Sequence, residues 1–277
     1  MTHEKTLYIA FRDNQVAVHS GIHDVLVWIE RCFCEMLEYK PVNIVKNLEV
    51  YKKEEKFILR ENDDSSVENG SLNTILEFLN KVVIHHLIQA HPNLLWIHAG
   101  AVVYRDYAVV FSGAWGKGKS TLVTSLCDHG WTYLSDDIVP LDLSSGKVIP
   151  FSQTPTVRED PGREIPLHRL GELRKIEVNL RQKRVGREPV PIGAIVFPTY
   201  SRYSSTRIVH CSPSTAVLEL LKSCLNFEGH REEAVHHLCR LLSRLPSLRL
   251  FFSNGKHAAE LIACPTKFNV NLNYVNS

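Results

Sequence analysis

Residues 113–121 read GAWGKGKST. They join an apolar run, YAVVFS (107–112), to a run with helical spacing, KSTLVTSLCDH (119–129), which Gly130 stops. The stretch fits G-x-x-x-x-G-K-[ST]. Gly113, Gly118, Lys119 and Ser120 stand at the fixed places, Ala114, Trp115, Gly116 and Lys117 at the variable ones, and Thr121 follows. A glycine-rich turn between a buried strand and a helix presents successive backbone N–H groups to an anion. The helix N-terminus adds its partial positive charge. In such a loop the lysine reaches the outer phosphates and the hydroxyl ligates Mg²⁺. Residues 113–121 are therefore expected to bind a nucleotide.

Working outward, a loop of this kind needs a neighbouring strand that ends in a carboxylate. WTYLS (131–135) reads as a short strand and delivers Asp136 and Asp137 at its end. Adjacent residues at a strand end point in different directions, so one can ligate metal while the other faces an acceptor. Upstream, LLWIHAGAVVY (94–104) reads as an apolar strand carrying His98, with a turn at Arg105–Asp106 before the loop strand. Downstream lie an arginine-rich, poorly periodic stretch (157–188) and a buried strand, IGAIVF. The helices STAVLELLKSCLNF and REEAVHHLCRLLSRL, the strand LRLFFS and the short helix HAAELIA follow.

The first ninety residues read as a small α+β module without a chemical motif. A hairpin over 6–19 with its turn at Asp13–Asn14 leads to a helix over 22–38. Two strands in KNLEVYKKEEKFILRE, a polar loop over 63–71 and a helix ending before Pro92 follow. The expected domains are 1–90 and 91–277.

The bulk composition narrows the partners. With 44% apolar and 22% charged residues the chain is globular in character, and a net charge of +2 argues against nucleic acid as a partner. No apolar run approaches a membrane span, and the first residues lack signal-peptide shape. Seven cysteines include no CxxC, and Cys32 and Cys34 face different sides of a helix. Reduced thiols in a cytoplasmic protein are expected, with no membrane contact.

IHAGAVV, then VVFSGAWGKGKSTL, then GWTYLSDDIVPL together resemble the catalytic domain of HPr serine kinase/phosphorylase and its HPr-kinase-like relatives. The likeness covers residues 94 to 142 and runs more loosely through FPTY near 200 and the helical tail. It implies an α/β fold of the HPr kinase and phosphoenolpyruvate carboxykinase-like type, a mixed sheet around the phosphate loop, preceded by the small module. It also implies roles: Asp136 as general base on a serine hydroxyl, His98 beside it and tuning it, and Asp137 with Ser120 on Mg²⁺. The family's glycine-rich signature is not matched by TVREDPGREIPLHRLGELRK (156–175). Arg158, Glu159, Arg163 and Glu164 in that segment are candidates for a phosphate clamp and a further metal ligand.

The resulting expectation is an ATP- and Mg²⁺-dependent kinase acting on a serine of a peptide or small protein. The layout resembles that of kinases acting on ribosomally made precursors, the lasso peptides among them. A small-molecule kinase and a non-catalytic nucleotide-binding regulator are the competing readings. A base at Asp136 argues against the latter, since a pure binder needs none. Homo-oligomerisation stays open. Residues 157–188 are expected to be mobile without ligand and to close over the phosphates.

Overall fold

The computed structural model describes residues 4–62, 65–158 and 175–263. Glu159, Arg163 and Glu164 lie outside the described residues, as does half of the segment expected to close over the phosphates. The fold is mixed α/β, and its contacts divide the chain into Met1–Pro92 and Asn93–Ser277.

In the first unit β1 (Lys5–Phe11), β2 (Asn14–Ser20), β3 (Leu37–Glu38), β4 (Ile44–Lys53), β5 (Lys56–Asn62) and β6 (Ser65–Asn69) form a sheet in the order β3-β1-β2-β4-β5-β6. Helix α1 spans His23–Cys32, and α2 spans Leu72–Gln89. Ile75, Leu79, Val83 and Leu87 recur every fourth residue along α2 and are all buried, so one stripe of the helix faces the sheet.

Three local expectations change in this unit. Phe11 pairs with Asn14, which puts Arg12 and Asp13 at the hairpin turn, with Arg12 in the left-handed region at φ 53°. The helix expected over 22–38 stops at Cys32. Phe33 and Met36 bury themselves through a turn closed by Met36 N–H to Phe33 O at 2.8 Å, and Leu37 and Glu38 join the sheet edge. The polar tract expected as a loop forms β6, because an edge strand needs backbone partners on β5 more than apolar side chains.

The second unit holds β7 (Leu94–Ile97), β8 (Ala99–Tyr104), β9 (Tyr107–Ser112), β10 (Thr132–Ser135), β11 (Val139–Asp142), β12 (Lys147–Val148) and β15 (Val190–Tyr200), in the order β10-β8-β9-β15-β12-β11-β7. Two further strands, β16 (Arg207–His210) and β17 (Ser247–Phe252), extend from β15, while β13 (Thr156–Arg158) and β14 (Lys175–Glu177) pair separately. Its helices are α3 (Lys119–Asp128), α4 (Pro213–Lys222), α5 (Phe227–Leu242) and α6 (Gly255–Ala263). Leu220, Leu238 and Leu242 of α4 and α5 pack into one core with Leu95, Ile97, Val139 and Ile195 of the sheet. Full burial of each such side chain stabilises the fold by roughly 1.5–3 kcal/mol.

Two differences here shape the site. The single strand expected over 94–104 is broken at His98: β7 pairs with β11, whereas β8 pairs with β9 and β10. The His98 N–H leaves both ladders and donates to Ser223 O at 2.7 Å, so the chain changes neighbours at that residue. β16 was not expected at all.

Candidate functional site

Strand directions explain why distant residues converge. β9, β15 and β17 are mutually parallel neighbours, so their carboxyl ends lie on one side. β8 runs antiparallel to β9 with Ala99 opposite Ser112, which brings His98 to that same side. β10 runs antiparallel to β8 with Ser135 opposite Ala101, so Asp136 and Asp137 emerge there too. The glycine-rich loop leaves β9 at this point.

Gly113, Gly116 and Gly118 take φ values of 156°, 78° and 88°. A Cβ on Gly118 would also stand 2.7 Å from Cζ of Phe252, at the end of β17. The residue therefore needs glycine twice over, for its left-handed turn and for the aromatic ring behind it. Gly118 caps α3, whose first residues are Lys119 and Ser120. Ala114 and Trp115 are exposed, whereas Gly116, Lys117, Ser120 and Thr121 are half-buried.

Lys119 is buried, and its ammonium group is fully engaged. Nζ donates to Gly113 O at 2.9 Å and Ala114 O at 3.3 Å, and lies 3.0 Å from His98 Nε2. The other ring nitrogen, Nδ1, is 2.9 Å from the backbone carbonyl of Asp137. A carbonyl only accepts, so Nδ1 carries the proton and Nε2 is left to accept from Lys119. All three ammonium protons thus have partners. Burial and the Lys119 charge hold His98 below its ordinary pKa, and burial lowers that of Lys119. His98 touches Lys119 and the Asp137 backbone; no hydrogen bond joins it to the Asp136 side chain.

Asp136 presents the opposite case. It is 3% exposed, and neither carboxylate oxygen has a hydrogen-bond partner among the described residues. Burial, reinforced by the Asp137 charge, pushes its pKa up to about 7; the nearby Ser120 hydroxyl, the Asp137 backbone and Lys119 pull weakly the other way. The Ser120 hydroxyl approaches the carboxyl group without completing a well-aligned bond. Gly100 makes room for this side chain, since a Cβ there would lie 3.2 Å from Asp136 Oδ1 and 2.7 Å from Val123 Cγ2. Asp137 follows in the left-handed region at φ 64°, a conformation aspartate tolerates better than most residues. That turn exposes its side chain and aims its carbonyl at His98.

Arg158, on β13, lies over the Trp115 ring at 4.1 Å from the centroid, and its buried Nε lacks a hydrogen-bond partner among the described residues. Burial lowers its pKa, opposed by the charge of Asp137. It stands at the loop mouth, held by an aromatic face instead of a carboxylate.

Sequence reading missed the floor of the site: Gly100, Pro198 beside Gly113, and Phe252 behind Gly118. Only Gly100 left a trace, as the one glycine in an otherwise apolar strand.

Chemically, the arrangement offers an anion cradle, a lysine that can exchange partners, and a carboxyl group whose proton affinity suits neutral pH. No protein-family model matches the sequence, and no curated protein does either. A solved structure of the Hpr(Ser) kinase/phosphatase from Coxiella burnetii is similar at 13% identity, covering 66% of this chain and 99% of that one, with a TM-score of 0.34. A likeness that low carries no weight on fold or chemistry, which rest on the geometry above.

Proposed function

We propose that the chain is an ATP- and Mg²⁺-dependent kinase that phosphorylates a serine hydroxyl on a peptide or small protein, a ribosomally made precursor peptide being one such acceptor. The observation that carries this reading is the buried, unpartnered Asp136 carboxyl group, with its pKa near 7, beside a glycine-rich loop and its lysine. A protein that only binds nucleotide has no use for such a group, and burying it without partners costs stability.

In the proposed reaction the serine oxygen forms a bond to the γ-phosphorus while the bond from that phosphorus to the bridging oxygen of ADP breaks. The hydroxyl proton passes to an Asp136 oxygen as the new bond forms, since a base helps a weakly acidic hydroxyl only while its proton is leaving. Lys119 exchanges the Gly113 and Ala114 carbonyls for phosphate oxygens, and the loop N–H groups hold the remaining charge. His98 positions Lys119 by accepting a hydrogen bond from its ammonium group at Nε2. Arg158 is placed to add a further cation from the Trp115 face.

Among the described residues no three His, Cys, Asp or Glu side chains gather as a metal cage. Mg²⁺ takes one or two protein oxygens and completes its shell with phosphates and water. Ser120 and Asp137 would hold it, and it would supply charge neutralisation at the phosphates.

All cysteines among the described residues are free thiols. No helix among the described residues is long and apolar enough to cross a membrane.

The test is incubation with γ-labelled ATP, Mg²⁺ and serine peptides. Label should reach serine with the parent protein and fail to with Asp136→Asn, while both bind ATP. Equal labelling by the two proteins would refute the proposed chemistry.

A further inference from the structure

The sheet of the second unit ends in an open edge that leads to the loop. β17 lies between β15, parallel to it, and β16, antiparallel to it. Among the described residues no strand pairs with the other side of β16. Tyr200 pairs with Phe252 and Arg207 with Phe251, so the Arg207 end of β16 is the end at which Phe252 backs Gly118. The edge therefore starts at the phosphate-loop side of the sheet and runs away from it.

The backbone of that edge can be assigned. Cys211 N–H donates to Ser247 O at 2.8 Å, and antiparallel pairs alternate between bonded and non-bonded. Arg207 and Val209 therefore bond inward to β17, and the N–H and C=O groups of Ile208 and His210 point outward. All four residues are exposed, including the apolar Ile208 and Val209. Tyr203, in the loop that enters β16, is 84% exposed. Soluble proteins normally blunt such an edge, and an exposed apolar one pairs readily with another chain.

The charge along the edge selects the occupant. Residues 200–211, YSRYSSTRIVHC, contain Arg202, Arg207 and His210 and no carboxylate. Arg207 lies over the Phe251 ring at 4.5 Å. Across β17, Glu219 is already shared between Lys222 and Arg249.

We propose that β16 is the docking edge for the acceptor: an extended, neutral-to-acidic peptide segment adds to it as a further strand and delivers its serine to the loop end. This rests on the kinase reading above. Ile208 and His210 supply backbone hydrogen bonds, and the alternate side chains Arg207 and Val209 face one side of the added strand. Four residues of strand span about 13 Å along the edge, and six strand spacings of about 4.8 Å separate an added strand from β10, so the recognition elements lie about eight or nine extended residues from the serine. Backbone pairing also makes the choice of acceptor tolerant of side-chain sequence, with charge as the coarse filter.

The test uses the full chain, γ-labelled ATP and a library of peptides about 25 residues long with a central serine, the best of which is then N-methylated at one amide at a time. Strand addition predicts that KM rises about tenfold at alternate positions on one side of the serine, the loss of one or two hydrogen bonds. Ile208→Pro removes an outward N–H without touching the bonds to β17, and should raise KM similarly with kcat near the parent value. Even if Ile208→Pro fails to fold, the methylation series on the parent protein decides.

A flat methylation series on a phosphorylated peptide overturns the docking edge and leaves the kinase reading standing. No phosphorylated peptide, from a protein that binds ATP, overturns the peptide-acceptor reading and the edge with it. A parent dimer that Ile208→Pro converts to monomer, seen by light scattering, gives the edge to a second copy and also overturns the proposal.

Discussion

The loop end of β9 and the carboxyl end of β10 flank the same strand, β8, and each buries a charged residue there. Lys119 has a partner for every ammonium proton, at 2.9 to 3.3 Å. Asp136 has none for either oxygen among the described residues. The resting site thus satisfies its cation and leaves its carboxyl group to hold a proton near neutral pH. Solvation explains the asymmetry: the loop carbonyls and the His98 ring replace water around Lys119, whereas burial beside Gly100 takes Asp136 out of water and raises its proton affinity. A satisfied group can be exchanged at little cost, and an unsatisfied one is reactive. Binding and proton transfer are in this way divided between the two strand ends.

Changing one group at a time sharpens the contrast. On nucleotide binding the largest effect is expected for Lys119→Ala, which removes the exchangeable cation. Nucleotide affinity should fall, and turnover with it by about 10²–10³, as for loss of a preorganised charge-stabilising donor. Unchanged ATP affinity and rate in that variant would remove the loop from the account.

A second contrast is thermodynamic, and its sign is fixed. Asp136 has a folded-state pKa of about 7, above its ordinary value of 3.8, so the folded protein keeps a proton that the unfolded chain releases between those values. Stability is therefore present below about pH 4 and lost as pH rises through the folded pKa near 7. Asp136→Asn abolishes that loss and should stabilise the protein at pH 8 by on the order of a few kcal/mol, with little gain at pH 4. Thermal unfolding of both proteins at both pH values measures it. An equal shift at the two pH values would mean that burial does not raise this carboxyl group.

The smallest effect concerns the scaffold under the lysine. Gly118→Ala imposes a left-handed Cβ against Phe252 and should cost about 1–3 kcal/mol, read as a lower denaturation midpoint. Phe252→Leu in the same background should recover part of it. No recovery would mean that the backbone conformation alone sets the cost.

How much of this was legible beforehand follows from the range of the interactions involved. The glycine-rich loop could be read because its turn, its helix start and its lysine are local to nine residues. The break at His98 could not, since LLWIHAGAVVY is evenly apolar and the break is made by β11 and Ser223, distant in sequence. His98 was expected beside Asp136; its bonds to Lys119 and to the Asp137 carbonyl were not. β16 escaped notice for a different reason. An exposed edge strand with two polar residues among four lacks the burial pattern by which strands are recognised. The same property now makes it available to a partner.

The central claim is that the Asp136 carboxyl group takes the acceptor's proton, and the most direct test is the pH dependence of kcat/KM for serine-peptide phosphorylation. In the parent protein the rate should rise with pH and level off above an inflection near 7, where Asp136 loses its proton. Asp136→Asn should bind ATP normally, fall by about 10²–10⁴ in rate and lack that inflection. A variant that keeps the parent rate and the same inflection would show that the proton goes elsewhere.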